Sequence, residues 1–355
     1  MDAIKFKNNP KEQEFYNQLK DKVFKELNGR NFYGNADFWK KGIFWSIVSY
    51  SGYFFLFSDN INKLVFWFLF LIFQLAGLLI GFSLGHDAAH NTAFKSKRAN
   101  AILHFFSFMT IGIDPLLWGL RHIRSHHLYA NVEGSDIDID KNPFLRLSPV
   151  HPWKNKHKYQ HIYAPFVYML ALIHSVFMGD WIYLFSKDYD WMTKGISKRE
   201  LYIRFIIFKI LYFSLVIALP IAFSNFSWQF VIMTYLTTGG IAALLFIIML
   251  VGTHFFIEAA YPESNEGEIE HTWAVHQLMT SCDWNADKKW ARFISGGANC
   301  HAAHHLFPNV CHTYYKKINP IIEDTTQEFN IVYHNKTLSN MMISHLKHLK
   351  EMGKR

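Results

Sequence analysis

The sequence predicts an all-α integral membrane protein. Four transmembrane helices form two hairpins, and a cytoplasmic helical cap carries a histidine-rich metal site. Three observations predict this. Long, nearly charge-free runs occupy about 42–58, 64–85, 207–223 and 229–253, each approaching the ~20 residues that cross a bilayer as a helix. Eight histidines fall into three groups at helical spacing. Basic residues gather at one end of the apolar runs. We expect a cytoplasmic arm over 1–40, a membrane domain over 41–330 and a cytoplasmic tail over 331–355.

Composition agrees. The 355 residues are half hydrophobic, with 34 Phe, 17 Tyr and 11 Trp, yet mean hydropathy is only +0.02, so much of the chain is wet. The net charge of +8 marks a cytoplasmic face. It also suits anionic headgroups or a phosphate-bearing substrate. The basic residues are scattered and no nucleic-acid fold signal accompanies them, so no nucleic-acid partner is expected. Cys282, Cys300 and Cys311 suggest no disulfide framework and fit a reducing compartment. The polar, charged start of the chain does not read as a cleavable signal peptide.

Residues 1–40 read as soluble and partly helical. The first run, 42–58, is uncharged and aromatic; after the polar link 59–63, the run 64–85 ends at His86. So short a link reads as a hairpin. Residues 101–118 carry His104, Asp114 and Pro115 and read as re-entrant or interfacial. Asp136, Asp138 and Asp140 form a solvated loop or supply carboxylates that orient histidine rings. Residues 143–163 are basic and polar. Residues 161–185 are apolar but interrupted by Pro165, His174 and Asp180, and should lie at the interface or pack on the histidine-bearing domain. The basic stretch 194–204 follows. Lys209 should snorkel from the end of the third crossing. After the link 224–227 comes the fourth crossing, where Gly239-Gly240 suggests close packing; His254 and Glu258 follow at once. Lys40, Lys41, Lys95, Lys97, Arg98, Lys198 and Arg199 all fall on the side away from the two links, which the positive-inside rule makes cytoplasmic.

The histidines carry the chemistry. His86 and His90 stand at i and i+4, as do His122 and His126, so each pair shares a helical face. His127 is turned further round, toward a second ion. His301, His304 and His305 give i, i+3, i+4. Any one of these reads as an ordinary polar side chain, but the set on one side of one membrane reads as a metal site. Zinc typically takes four ligands, so eight or nine imidazoles imply two ions, with iron, zinc and copper as candidates. Dimetal sites serve hydrolysis or dioxygen chemistry, and spacing does not choose.

The boxes HDAAH, HIRSHH and HAAHH, in this order and split by hydrophobic hairpins, resemble the membrane fatty-acid desaturase superfamily. WGLRHIRSHHLYANVEGSDIDID, RLSP, YQHIYAPFVY, WAVHQLMTS and HHLFPNVCHTYY resemble bacterial acyl-lipid and linoleoyl-CoA desaturases over about residues 30–330. The resemblance implies a non-haem di-iron centre that uses dioxygen and two electrons to insert a double bond into an acyl chain held in a hydrophobic tunnel. The substrate would be an acyl-CoA or acyl-lipid, and the setting a bacterial inner membrane with its active site on the cytoplasmic side. By motif, His86, His90, His122, His126, His127, His304 and His305 are iron ligands, and His276 in WAVHQ is an extra one. His301 stands where such relatives usually have Gln, and Ala303 where they have an acidic residue; other branches use His at the first position. His301 shares the face of His304 and is expected on the same ion, which brings the ligands to nine. No catalytic residue beyond the ligands is implied. Without an HPGG haem-binding segment, electrons come from a separate ferredoxin, or a b-type cytochrome with its reductase. A related di-iron lipid hydroxylase or ketolase would share the boxes. A metal transporter would need polar residues inside the crossings, where only Gln74, Thr234, Thr237 and Thr238 stand out.

Overall fold

The computed structural model describes residues 4–28, 32–139, 143–263 and 267–355. They form two compact units. One comprises Gly34–Arg121 and Pro165–Ile247 and is mostly apolar; the other comprises Met1–Tyr33, His122–Ala164 and Ile248–Arg355 and is mostly polar. Four helices are long and apolar enough to cross a membrane: Lys63–Ala89, Asn155–Phe185, Lys198–Phe223 and Trp228–Thr253. Three of them contain the runs 64–85, 207–223 and 229–253. The fourth contains the segment expected at the interface. The run 42–58 falls largely within the helix Ala36–Phe55, whose first turns hold Asp37, Lys40 and Lys41 and which is not among the four.

In the apolar unit, polar side chains set the helix starts. Asn35 accepts from the backbone N–H of Asp37 and Phe38, Asn62 from Val65, and Ser96 from Ala99, supplying acceptors that a helix's first turn lacks. Helix Ala36–Phe55 packs on Lys63–Ile80 through Tyr53 and Phe73, whose rings are 4.8 Å apart, and through the Ser49 hydroxyl, which donates to the Phe73 carbonyl. Phe66, Phe70 and Phe73 are fully buried. Within lipid such packing gains by dispersion, since there is little water to exclude. Gly239-Gly240 packs closely, as expected: a Cβ on Gly239 would stand 3.3 Å from the Gln74 amide, and one on Gly240 3.3 Å from the Met169 carbonyl. Lys209 departs from expectation. It is buried, and its ammonium donates to Asp180 at 2.7 Å and to the carbonyls of Gly112 and Val176. A carboxylate and two carbonyls offset the cost of burying an ammonium among apolar helices. The same Asp180 oxygen accepts the Asp114 N–H at 2.7 Å, which ties down the segment before Pro115.

In the polar unit, Asn9 caps the helix Pro10–Glu26, with Pro10 at its first position. Phe15, Leu19 and Val23 lie on one face and are buried with Val275, Leu278, Leu306, Ile318 and Ile322. Each such side chain contributes roughly 1.5–3 kcal/mol, so this part of the segment expected as an arm belongs to the core. Strand Lys5–Phe6 pairs in parallel with Glu268–Ile269, and Asp283–Trp284 with Asn335–Lys336. The segment expected as a tail forms the helix Leu338–Met352. It buries Met341 and Leu349, and its His345 and His348 donate to the carbonyls of Phe255 and Leu147.

Candidate metal centre

The second box opens with a π-helical turn, His122–His126, followed by His127–Tyr129. The wider turn changes the expected pairing. Nε2 of His122 lies 3.0 Å from Nε2 of His127. His126 turns to another set, with His254, His301 and His305, although its ring still stacks on His122 at 5.7 Å.

That set is buried, with one nitrogen from each ring within 4.8 Å of the others. Nε2 of His254 lies 2.5 Å from Nε2 of His301 and 3.1 Å from Nε2 of His305. The opposite nitrogens decide what this means. His254 Nδ1 donates to the Thr280 carbonyl at 2.7 Å, His305 Nδ1 to the Gln277 side-chain oxygen at 2.6 Å, and His126 Nδ1 to Asp136 at 3.1 Å. A neutral imidazole carries one N–H, so all three present bare Nε2 lone pairs to the centre. Protonation does not relieve the crowding. Burial holds His254 and His305 well below the usual histidine range, and the neighbouring histidines push them further down. Converging lone pairs with their far N–H groups tied to oxygen suit a cation, and an all-imidazole set suits iron, zinc or copper.

A second group joins His127, His304 and His305. Because His305 belongs to both, the groups are adjacent, as two neighbouring ions require. His122 stacks on His304 with centroids 5.5 Å apart. His301 therefore sides with His254 and His305, not with His304 as its spacing suggested; the i, i+3 relation allows a shared face, but packing against His254 selects the partner. His276 falls in none of these groups. It is buried 5.4 Å from the ring of Phe6. Burial pulls it to about 4, against a smaller opposing pull from the Ala130 carbonyl.

His86 and His90 lie in the apolar unit, their rings 5.1 Å apart. A π turn, Gly81–Gly85, leads into them. Gly81 lets Ile111 approach the backbone closely: a Cβ here would stand 2.1 Å from Ile111 Cδ1 and push that side chain aside. His86 stacks on Phe82, and His104 packs on Phe108 at 4.5 Å.

Of the acidic stretch, Asp136 orients a ring. Burial would raise its pKa, but His126 and the N–H groups of Asn131 and Asp138 hold it below the usual carboxylate range. Asp138 stands 3.7 Å from His126 Nδ1 and is partly exposed; Asp140 lies outside the described residues. Sequence reasoning noted His254 without assigning it to the site, and missed Gln277 and Thr280. Their signal was present: His254 directly follows an apolar run, and Gln277 and Thr280 sit in WAVHQLMTS.

A model of the fatty acid desaturase family matches residues 62–337. The sn-1 linoleoyl-lipid 6-desaturase of Synechocystis sp. is 29% identical over 80% of this chain and 79% of its own length. The acyl-lipid (8-3)-desaturase of Physcomitrium patens is 29% identical over 87% and 65%, and the sn-1 linoleoyl-lipid 6-desaturase of Arthrospira platensis 28% over 72% and 68%.

Proposed function

The chain belongs to the fatty acid desaturase family, and from that premise we propose that it introduces a double bond into the acyl chain of a membrane lipid at a histidine-bound pair of irons. The names of the relatives, acyl-lipid and linoleoyl-lipid desaturases, favour a glycerolipid substrate over an acyl-CoA. The bound irons would supply the oxidising power: a CH2–CH2 unit, O2, two electrons and two protons give CH=CH and two waters. The electrons come from a separate ferredoxin, or a b-type cytochrome with its reductase.

The observation that carries this reading is the convergence of His254, His301 and His305, each through Nε2. We assign His126, His254, His301 and His305 to one iron, and His127 and His304, with His305 between, to the other. His122 joins this set through its contacts with His127 and His304, and His86 and His90 by the family's pattern. His254 takes the part that the sequence suggested for His276. The residues' own work is to hold neutral nitrogens in place. Thr280, Gln277 and Asp136 each fix an N–H away from the centre, and neutral donors leave the ions their positive charge. Leu278 and Leu306, next in sequence to Gln277 and His305, belong to the buried core.

Expression in a host of known lipid profile, followed by mass spectrometry of its fatty acids by lipid class, tests the reading. A new alkene in glycerolipids is the outcome expected. A hydroxylated species without a new alkene would assign the chain to lipid hydroxylation instead, and a new alkene confined to acyl-CoA would overturn the substrate.

A further inference from the structure

Gln277 is fully buried on the helix Trp273–Met279. Its side-chain oxygen accepts the Nδ1–H of His305 at 2.6 Å, while its NH2 has no acceptor among the described residues. A buried amide left half-satisfied weakens a fold; leucine, of similar size, would remove the orphaned NH2 but leave the His305 N–H without its acceptor. Stability alone therefore gives little reason for an amide over leucine at this position. What Gln277 adds is an acceptor for one N–H, on the one histidine common to both groups.

The acceptor is held firmly. Glu12 receives the Thr272 N–H at 2.7 Å and pairs with His271 at 2.8 Å, which pins the start of the helix. Val275 and Leu278 anchor it in the core. At its end the Thr280 carbonyl holds His254. One short helix thus fixes a ring in each of two chain segments, and WAVHQLMTS serves the centre through Gln277 and Thr280.

We propose that Gln277 is a positioning residue of the metal centre, whose side-chain carbonyl keeps His305 protonated at Nδ1 and turns its Nε2 to the metal. This rests on the metal-site reading above. The test is cobalt(II) binding to the metal-free full-length protein in detergent, followed by visible absorption, with thermal unfolding of the metal-free form alongside. The unaltered chain should take up two cobalt ions. Gln277→Leu should bind at least one of them about 10–100-fold more weakly, with a changed spectrum, while the metal-free form unfolds at about the same temperature. Gln277→Glu keeps an acceptor oxygen and should retain tight binding. Should the leucine variant not be recovered folded, Gln277→Asn, with its oxygen drawn back by one methylene, should show the weakened binding. Unchanged affinity and spectrum in the leucine variant, or in the asparagine variant where that one decides, would overturn the assignment alone. So would loss of metal from the leucine and glutamate variants in step with loss of stability. No uptake by the unaltered chain would overturn the metal-site reading and this assignment with it.

Discussion

At the residue scale, His254 and His276 separate the structural reading from the one that the motif resemblance suggested. His254 meets His301 and His305 through Nε2, whereas His276 packs on Phe6 outside the groups. Removing a ligand empties or unbalances a site, so His254→Ala should abolish turnover and lower iron per purified chain. His276→Ala should retain two irons. Equal iron loss in both variants would return His276 to the ligand set. Asp136 acts through His126. Asp136→Asn leaves a weaker acceptor, and a loss of roughly 10–100-fold in metal affinity or activity is expected, measurable by titration of the metal-free protein.

At the element scale, two helices make separate predictions. The helix Leu338–Met352 depends on neutral histidines. Burial pulls His345 down to about 4; its bond to the Phe255 carbonyl opposes this, and His348 adds to it. His345 stays neutral in the folded chain over a range where an unfolded chain takes up a proton. The stability from keeping it neutral is complete above the ordinary histidine range near 6.5 and falls as pH drops toward 4, by about 3 kcal/mol at most. Hydrogen exchange over 338–352 should quicken across that window, and His345→Gln should flatten the profile; an unchanged profile in the variant would remove His345 as the cause. In the apolar unit, Lys209→Met leaves Asp180 buried without its cation, which should cost about 3–5 kcal/mol. Thermal unfolding in detergent should show this, with much of it recovered when Asp180→Leu is added.

At the scale of the whole molecule, chain parity constrains topology. His126 and His301 share one metal group, so the chain between them crosses the membrane an even number of times. If the runs 207–223 and 229–253 supply two crossings, the helix Asn155–Phe185 is expected along the interface despite its length. The same argument applies before the second box. Phe15 and His122 belong to one unit, so a crossing by Lys63–Ala89 would need a second, and the helix Ala36–Phe55, with Ile43, Ile47 and Phe54 exposed, is the segment expected to supply it. The two links touch, since the Asn225 amide donates to Asp59 at 3.2 Å, as hairpins opening to the same side would have them. Cysteines placed at Asn60 and Asn225 should label from outside the cell and one at Ser96 only after permeabilisation. Outside labelling of Ser96 would overturn this topology.

The sequence by itself determined the helical class, three of the four apolar helices long enough to span a membrane, and the histidine boxes. These depend on local properties, the length of an apolar run and the angular spacing of residues along one helix. It also raised Asp136 as an orienting carboxylate. Tertiary structure decided which histidine nitrogens converge. A metal group needs nitrogens within a few ångströms, and these come from His126, His254 and His301, which only packing brings together. It placed Lys209 against Asp180 instead of water, because the carboxylate lies on another helix. It set His254 and Gln277, not His276, in contact with the converging rings, because a motif fixes which residues stand together in the chain, while a ring's partner depends on how separate segments pack.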